Sequence, residues 1–393
     1  MKSIKITFTG DIMLNQALLK QKKYNNIFSD VEYFLKKADF VISNLETPIT
    51  NNIISFANDI YRFASPLEFA KAVKYSGVNL VTTANNHCLD NGISGAKETV
   101  ELLNSINLYN TGISYNNEKN YIIKKVGDIN IGIISYTYGT NAFNNNVYLN
   151  KSAKVKINLF QNQELSNRLI RNLYFSKNIF VRILRLIFRK IGLFQLNKPI
   201  YERKEKSRIN DVKSTIKRCK SDGADYIVMC IHMGGQYNKF PLKQCKKMVK
   251  CMQKYGVDLI VGNHEHIVQQ VEISNNKLAA YCLGNFVSAT GVLNKPFDKM
   301  ADYSILLNVY LDEQANEIKR TFTIVKIVKV EVNNTESIKV KLLCDLINDT
   351  QNELLKKQLM SDNNYITKTV LNNEIYKDII LKEYDILNEE TKI

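Results

Sequence analysis

The chain contains four histidines, and each follows directly or shortly after a short apolar run. The run 78–84 (VNLVTTA) leads into Asn85-Asn86-His87, and 226–231 (YIVMCI) leads into His232. The run 258–262 (DLIVG) leads into Asn263-His264-Glu265-His266. Two further runs end in acids: 4–9 (IKITFT) before Gly10-Asp11, and 40–43 before Asn44-Leu45-Glu46. Short stretches of Val, Ile and Leu bounded by Gly or Asn read as buried strands. Helical periodicity alternates with them around 31–37, 66–76, 94–107, 209–222 and 242–255. Strands alternating with helices predict a layered α/β architecture. Polar residues beyond the C-termini of such strands converge on one edge, where ligands bind. Asp11, Glu46, Asn86, His87, His232, His264 and His266 are therefore expected in one place.

Taken singly, each of these residues has a plainer role. A lone histidine is ordinarily a satisfied loop or core residue. Asp11 alone would be a turn or helix cap, Glu46 a solvated loop acid and Asn86 a left-handed turn residue. Their shared position at strand ends is what singles them out. Carboxylate, amide and imidazole together make a mixed N/O ligand set suited to Mn, Fe or Zn. Two such ions sharing a bridging carboxylate activate water and clamp a tetrahedral phosphoryl group.

Composition narrows the class. With 393 residues, 45% of them hydrophobic, the chain can bury a sizeable core, which excludes wholesale disorder. The net charge of +16 favours anionic partners without choosing among nucleic acid, lipid and acidic polymer. Seven cysteines with no CxxC argue against a disulfide framework or a cysteine zinc knuckle, and fit a reducing compartment. The opening MKSIKITFTGDIML lacks the apolar core of a signal peptide, and no run is long and apolar enough to span a bilayer. The expectation is a cytoplasmic chain. No GxxxxGK[ST], dinucleotide fingerprint or GxSxG occurs, so nucleotide-driven ligation and serine hydrolysis have no motif behind them.

Six short motifs follow in order: Gly10-Asp11-Ile12-Met13, Asn44-Leu45-Glu46-Thr47-Pro48, ANNHCLDNG at 84–92, HMGGQY at 232–237, GNHEHIVQ at 262–269, and Leu283-Gly284-Asn285-Phe286. In these stretches, spread over about residues 3–288, the chain resembles the CapA-type poly-gamma-glutamate capsule biosynthesis family. That family is a branch of the calcineurin-like metallophosphoesterase superfamily. The resemblance implies a metallophosphoesterase-like β-sandwich core flanked by helices. It implies Asp11 as a metal ligand, Glu46 as the bridging carboxylate and Asn86 as a ligand to a second ion through its amide oxygen. His87 would be the general acid, held by a nearby acid for which Asp90 is the candidate, and His232, His264 and His266 would complete the shells. Met13 stands where the wider superfamily has histidine, and a thioether is a poor ligand for a hard ion. The CapA-type branch carries Met there, and the expectation is one or two divalent ions.

By the same resemblance, the expected function is an accessory role in making or exporting a poly-gamma-glutamate-like capsule polymer, in company with a capsule synthesis complex. The alternative is an active metal-dependent hydrolase of a phosphoester or amide. A basic nucleic-acid binder has no recognised motif to support it.

The expected domains are 1–290, interrupted by a basic insertion at about 141–208, and a C-terminal extension 291–393. Within the insertion, Arg168 to Lys198 contains no Asp or Glu, and its apolar residues recur at spacings of three and four. That pattern predicts an amphipathic helix. Three readings of it stand: a lid packed over the core, contact with an anionic membrane at the inner face, or contact with a polymer or nucleic acid. Beyond the core, 303–311, 319–332 and 337–343 alternate β-branched and polar residues as antiparallel strands of a second sheet or of the extension. Asn333-Asn334 is a hairpin-turn signal, and a helical tail follows from Asp345.

Overall fold

Apolar residues alternate between two buried faces in the strands that carry the site. The computed structural model describes residues 3–14, 23–52, 62–115, 118–149, 154–160, 178–190, 205–288, 299–332 and 335–387. Its strands in chain order are β1 (Ile4–Ile12), β2 (Phe40–Leu45), β3 (Leu80–Thr82), β4 (Tyr109–Thr111), β5 (Ile113–Tyr115) and β6 (Ile122–Val126). Next come β7 (Ile129–Thr137), β8 (Val155–Ile157), β9 (Tyr226–His232), β10 (Leu259–Asn263), β11 (Val271–Ser274) and β12 (Lys277–Ala280). The last are β13 (Asn285–Val287), β14 (Tyr303–Leu311), β15 (Glu317–Val332), β16 (Thr335–Leu342) and β17 (Tyr384–Asp385).

They form two large sheets. The first runs β16-β15-β14-β1-β2-β3-β4, with β13 beside β1 and β17 beside β15; the second runs β11-β12-β10-β9-β7-β6. A small third sheet pairs β5 with β8. One face of each large sheet contributes to a shared core. Ile4, Ile6 and Phe8 of β1 and Phe40 and Ile42 of β2 meet Ile131 and Ile133 of β7, Val228 of β9 and Leu259 and Val261 of β10. The alternate residues face outward onto helices. Val41, Leu45 and Val81 pack with Phe69 and Val73 of the helix Leu67–Tyr75. Ile227, Met229 and Ile260 pack with Ile216 of the helix Glu205–Ser221 and Val249 of the helix Lys243–Lys254. The result is four layers, helix-sheet-sheet-helix. Strands buried on both faces read as continuous apolar runs, which is why these segments show so little polar interruption.

The C-terminal strands complete the first sheet rather than building one of their own. β14 pairs antiparallel with β1, matching Ile4 with Leu311 and Phe8 with Leu307, and β15 and β16 follow outward. Residues 333–334, the expected turn, lie outside the described residues, while Val332 pairs with Thr335 on either side of them. The tail is helical over Leu343–Asp349 and Glu353–Leu371, then returns as β17 against β15. Of the three readings of the insertion, a lid packed over the core does not match the described side chains. The insertion is helical at Ile179–Lys190, but its large apolar side chains Ile179, Phe180, Ile183, Leu186 and Ile187 are exposed instead of packed over the core. All seven cysteines are free, and six are buried.

Strand direction and register position the site. β1, β2, β3, β4 and β13 are mutually parallel, as are β7, β9, β10 and β12. Across the first sheet the register aligns Asn285, Asp11, Asn44, Thr82 and Thr111. Across the second it aligns Thr137, His232 and Asn263. Two polar rows thus cap the apolar sandwich. Gly10 is required where β1 reaches this edge, because a Cβ there would lie 2.0 Å from the Gly284 carbonyl oxygen.

Phe8 is fully enclosed between the sheets. Phe8→Ala is expected to cost about 3–5 kcal/mol of unfolding free energy through lost burial and a residual cavity. Urea denaturation followed by circular dichroism reads this, and a loss below about 1 kcal/mol would contradict the two-sheet core.

Candidate metal centre

Asp11 is wholly buried at the end of β1. Its Oδ1 accepts a hydrogen bond from Asn44 Nδ2 at 2.7 Å, and its Oδ2 lies 3.3 Å from both the His264 backbone N and His266 Nδ1. Burial pushes this carboxyl up, but the hydrogen bond and charge of His266, aided by His232 and Asn44, bring it down to about 2. Glu46, one residue past β2, is equally buried, and neither of its carboxylate oxygens has a hydrogen-bond partner. Burial and the adjacent Asp11 charge raise it to about 8.

The imidazoles surround these two acids. His232 Nε2 lies 3.5 Å from Glu46 Oε1, 2.7 Å from Asn86 Oδ1 and 3.0 Å from His264 Nδ1. His266 Nδ1 meets Asn285 Oδ1 at 3.1 Å, and its Nε2 lies 3.9 Å from Glu46 Oε1. Burial depresses His232 to about 3 and His264 well below its ordinary value. Burial opposes protonation of His266 too, but the Glu46 and Asp11 carboxylates outweigh it and raise this imidazole to about 9. The backbone is strained here: His264 and His266 both have positive φ, 112° and 62°. Such conformations cost about 1–3 kcal/mol each in non-glycine residues and cluster at functional sites. Glu265 between them is buried, and a Cβ at Gly234 would sit 1.9 Å from its Oε1. Only glycine fits at 234, where φ is also positive.

Asp11, Glu46 and His266 bring ligand atoms within 4.8 Å of one another, and so do Glu46, His232 and His264. The two groups share Glu46. These residues fit a cation: a buried carboxylate at the junction of two imidazole-bearing groups, with no hydrogen bond donated to either oxygen, has electron pairs available.

His87 stands at the rim of this cluster. Its Nδ1 is 2.6 Å from Asp90 Oδ2, and its Nε2 is 3.9 Å from Glu46 Oε1. Asp90 is fixed in turn by the Phe63 backbone N at 2.8 Å and Asn145 Nδ2 at 2.7 Å. The Phe63 ring lies 4.3 Å from the His87 ring, and Asn141 Nδ2 is 3.4 Å from His87 Nδ1. All eight expected site residues therefore meet in one region. Met13, two residues beyond Asp11, is buried, and its backbone N donates to the Val287 carbonyl. Sequence reasoning passed over Asn44 and Asn285, although both stand inside the quoted motifs; their register opposite Asp11 was the missing signal. Nothing in sequence pattern flags Phe63, Asn141 or Asn145.

The fold is thus a two-sheet α/β sandwich that gathers carboxylates, amides and imidazoles at one strand edge, a donor set that fits a divalent cation. The bacterial capsule synthesis protein model PGA_cap matches residues 5–290, and the chain belongs to that family. It is 24% identical to the capsule biosynthesis protein CapA of Bacillus anthracis over 74% of this chain and 61% of that protein. It is also 24% identical to the PGA biosynthesis protein CapA of Bacillus subtilis (strain 168), over 77% of this chain and 68% of that one. The chain thus spans less than two thirds of the length of the first of these relatives and about two thirds of the second. Among solved structures, TT1561 of Thermus thermophilus is similar at 8% identity with a TM-score of 0.37, covering 80% of this chain and 96% of that one.

Two outcomes follow from the electrostatics. An unfolded glutamate titrates near 4.5 and Glu46 near 8, so the folded metal-free protein takes up a proton between those values. Its stability therefore falls as pH rises through that window. Metal-free Glu46→Gln should escape this loss and melt at a higher temperature than wild type at pH 8 to 9, read by thermal denaturation in chelator. A lower melting temperature would show that the carboxylate is stabilised by a partner. The second outcome concerns loading. Protons held on Glu46 and His266 must leave before an ion binds. Divalent-ion affinity is expected to rise from pH 6 to 9 with proton release, measured by calorimetry in buffers of differing ionisation enthalpy. Affinity independent of pH would contradict it.

Proposed function

We propose that this protein is an accessory factor in the biosynthesis or export of an anionic poly-gamma-glutamate-like capsule polymer, built around a divalent-metal site. The observation that carries the metal site is the unpartnered Glu46 carboxylate shared by the two ligand groups. Asp11, Glu46 and His266 would hold one ion, and Glu46, His232 and His264, with the Asn86 amide oxygen beside His232, a second. Mn, Fe or Zn suits this donor set. Bound there, an ion supplies Lewis acidity toward a phosphoryl or carbonyl oxygen. Family membership and the CapA relatives support the capsule assignment. The charge of +16 suits a polycarboxylate chain and a place among the proteins of a capsule synthesis complex on the cytoplasmic side of the inner membrane.

A second reading is favoured by the His87–Asp90 pair. Asp90 orients His87 Nδ1, which leaves Nε2 directed toward the Glu46 side of the cluster. An imidazole so placed can deliver a proton to a leaving group, the role of a general acid in hydrolysis of a phosphoester or amide. The Phe63 ring, tilted by 42° against the imidazole, limits its rotation and its access to water.

Elemental analysis separates these readings in order. Wild type is expected to carry about one or two equivalents of Mn, Fe or Zn, and His264→Ala to lose them. No metal after purification with all three supplied would overturn the metal site. With metal present, His87→Ala should retain the ion and reduce phosphoester or amide turnover by about 100-fold or more if the protein is a hydrolase. Wild type without turnover that binds polyglutamate would leave the accessory role standing. If the polymer neither binds nor depends on this protein in cells, that role fails.

A further inference from the structure

The helix Ile179–Lys190 carries more exposed large apolar side chains than any other helix among the described residues. Ile179, Phe180, Ile183, Leu186 and Ile187 are between 48% and 73% exposed. Their spacing places them on one stripe of the helix. The helix also contains Arg182, Arg185, Arg189 and Lys190 and no acid. The three arginine positions, three and four apart, share a separate stripe. Large apolar residues left in water on this scale mark a contact surface.

Charge decides which partner fits. A second copy of the helix would bring four positive charges against four, which disfavours self-association. A helix of twelve residues is about 18 Å long, too short to cross a bilayer of about 30 Å but long enough to lie along its surface. Among the described residues, no helix is long and apolar enough to cross a membrane. We infer that the helix Ile179–Lys190 docks in the plane of an anionic lipid surface, its apolar stripe among the acyl chains and its cations at the acidic headgroups. This would hold the metal cluster beside a membrane. The inference is independent of what that cluster does, because no residue of the helix belongs to it.

The chain has no tryptophan, which makes a clean probe available. Phe180→Trp introduces a single reporter at an exposed site. Its emission is expected to shift to shorter wavelength with vesicles of phosphatidylcholine containing about 30% phosphatidylglycerol, and not with phosphatidylcholine alone. The wild-type chain should co-sediment with the same anionic vesicles, less so at high salt. Phe180→Asp with Ile187→Asp should weaken that co-sedimentation by about tenfold or more while leaving the circular dichroism spectrum unchanged. Four results would overturn the proposal: no shift with anionic vesicles, equal binding to neutral ones, equal binding by the double variant, or self-association through this helix in place of lipid binding. If the double variant misfolds, the Phe180→Trp shift decides the matter alone.

Discussion

Two carboxylates, Asp11 and Glu46, are buried side by side at the edge of an apolar sandwich, and the arrangement around them compensates for that. Burying even one ionised carboxylate unpaired is prohibitively costly, so such groups pair, protonate or bind metal. Asp11 takes the first solution, through Asn44 and His266. Glu46 takes the second in the metal-free protein, its carboxyl held protonated by burial and the charge beside it. A divalent ion offers both acids the third. The neutral state of His232 and His264 fits the same logic, since an imidazole must be unprotonated to donate its electron pair.

The scaffold supplies the rigidity that this edge needs. Parallel strands buried on both faces bring every C-terminus to the same side, and their register aligns Asp11 between Asn44 and Asn285. The strained turns at His264 and His266 are held by what surrounds them: the Glu265 carbonyl accepts the Tyr237 backbone N, and Gly234 leaves room for the Glu265 side chain. The C-terminal strands stiffen β1 from the other side. Binding groups set on strand ends with both flanks packed keep their geometry better than groups on free loops.

Helix and sheet function separately in this architecture. The candidate metal ligands lie at the strand edge of the two sheets, while the helix of the insertion leaves its large apolar side chains exposed. In the role proposed above, the two would act together: a fixed site and a means of staying near a lipid surface. The distribution of charge fits, because the insertion carries cations on a helix without acids, whereas the site carries its acids in the interior.

The sequence by itself determined the layered α/β class, the strand ends and the scarce histidines, because period-two and continuous apolar runs are local consequences of burial on both faces. It also carried the six motifs and with them all eight expected site residues. It could not decide where 303–342 belong, since alternating strands look alike whether they extend an existing sheet or start another; pairing of β14 with β1 is a contact between residues some 300 positions apart. Nor could it decide between a covered and an uncovered face on the insertion, because amphipathicity states that a helix has an apolar side and not what meets it. The same holds for Phe63, Asn141 and Asn145. Each reaches the His87–Asp90 pair through folding of distant chain, and no local pattern records a contact that only tertiary packing creates.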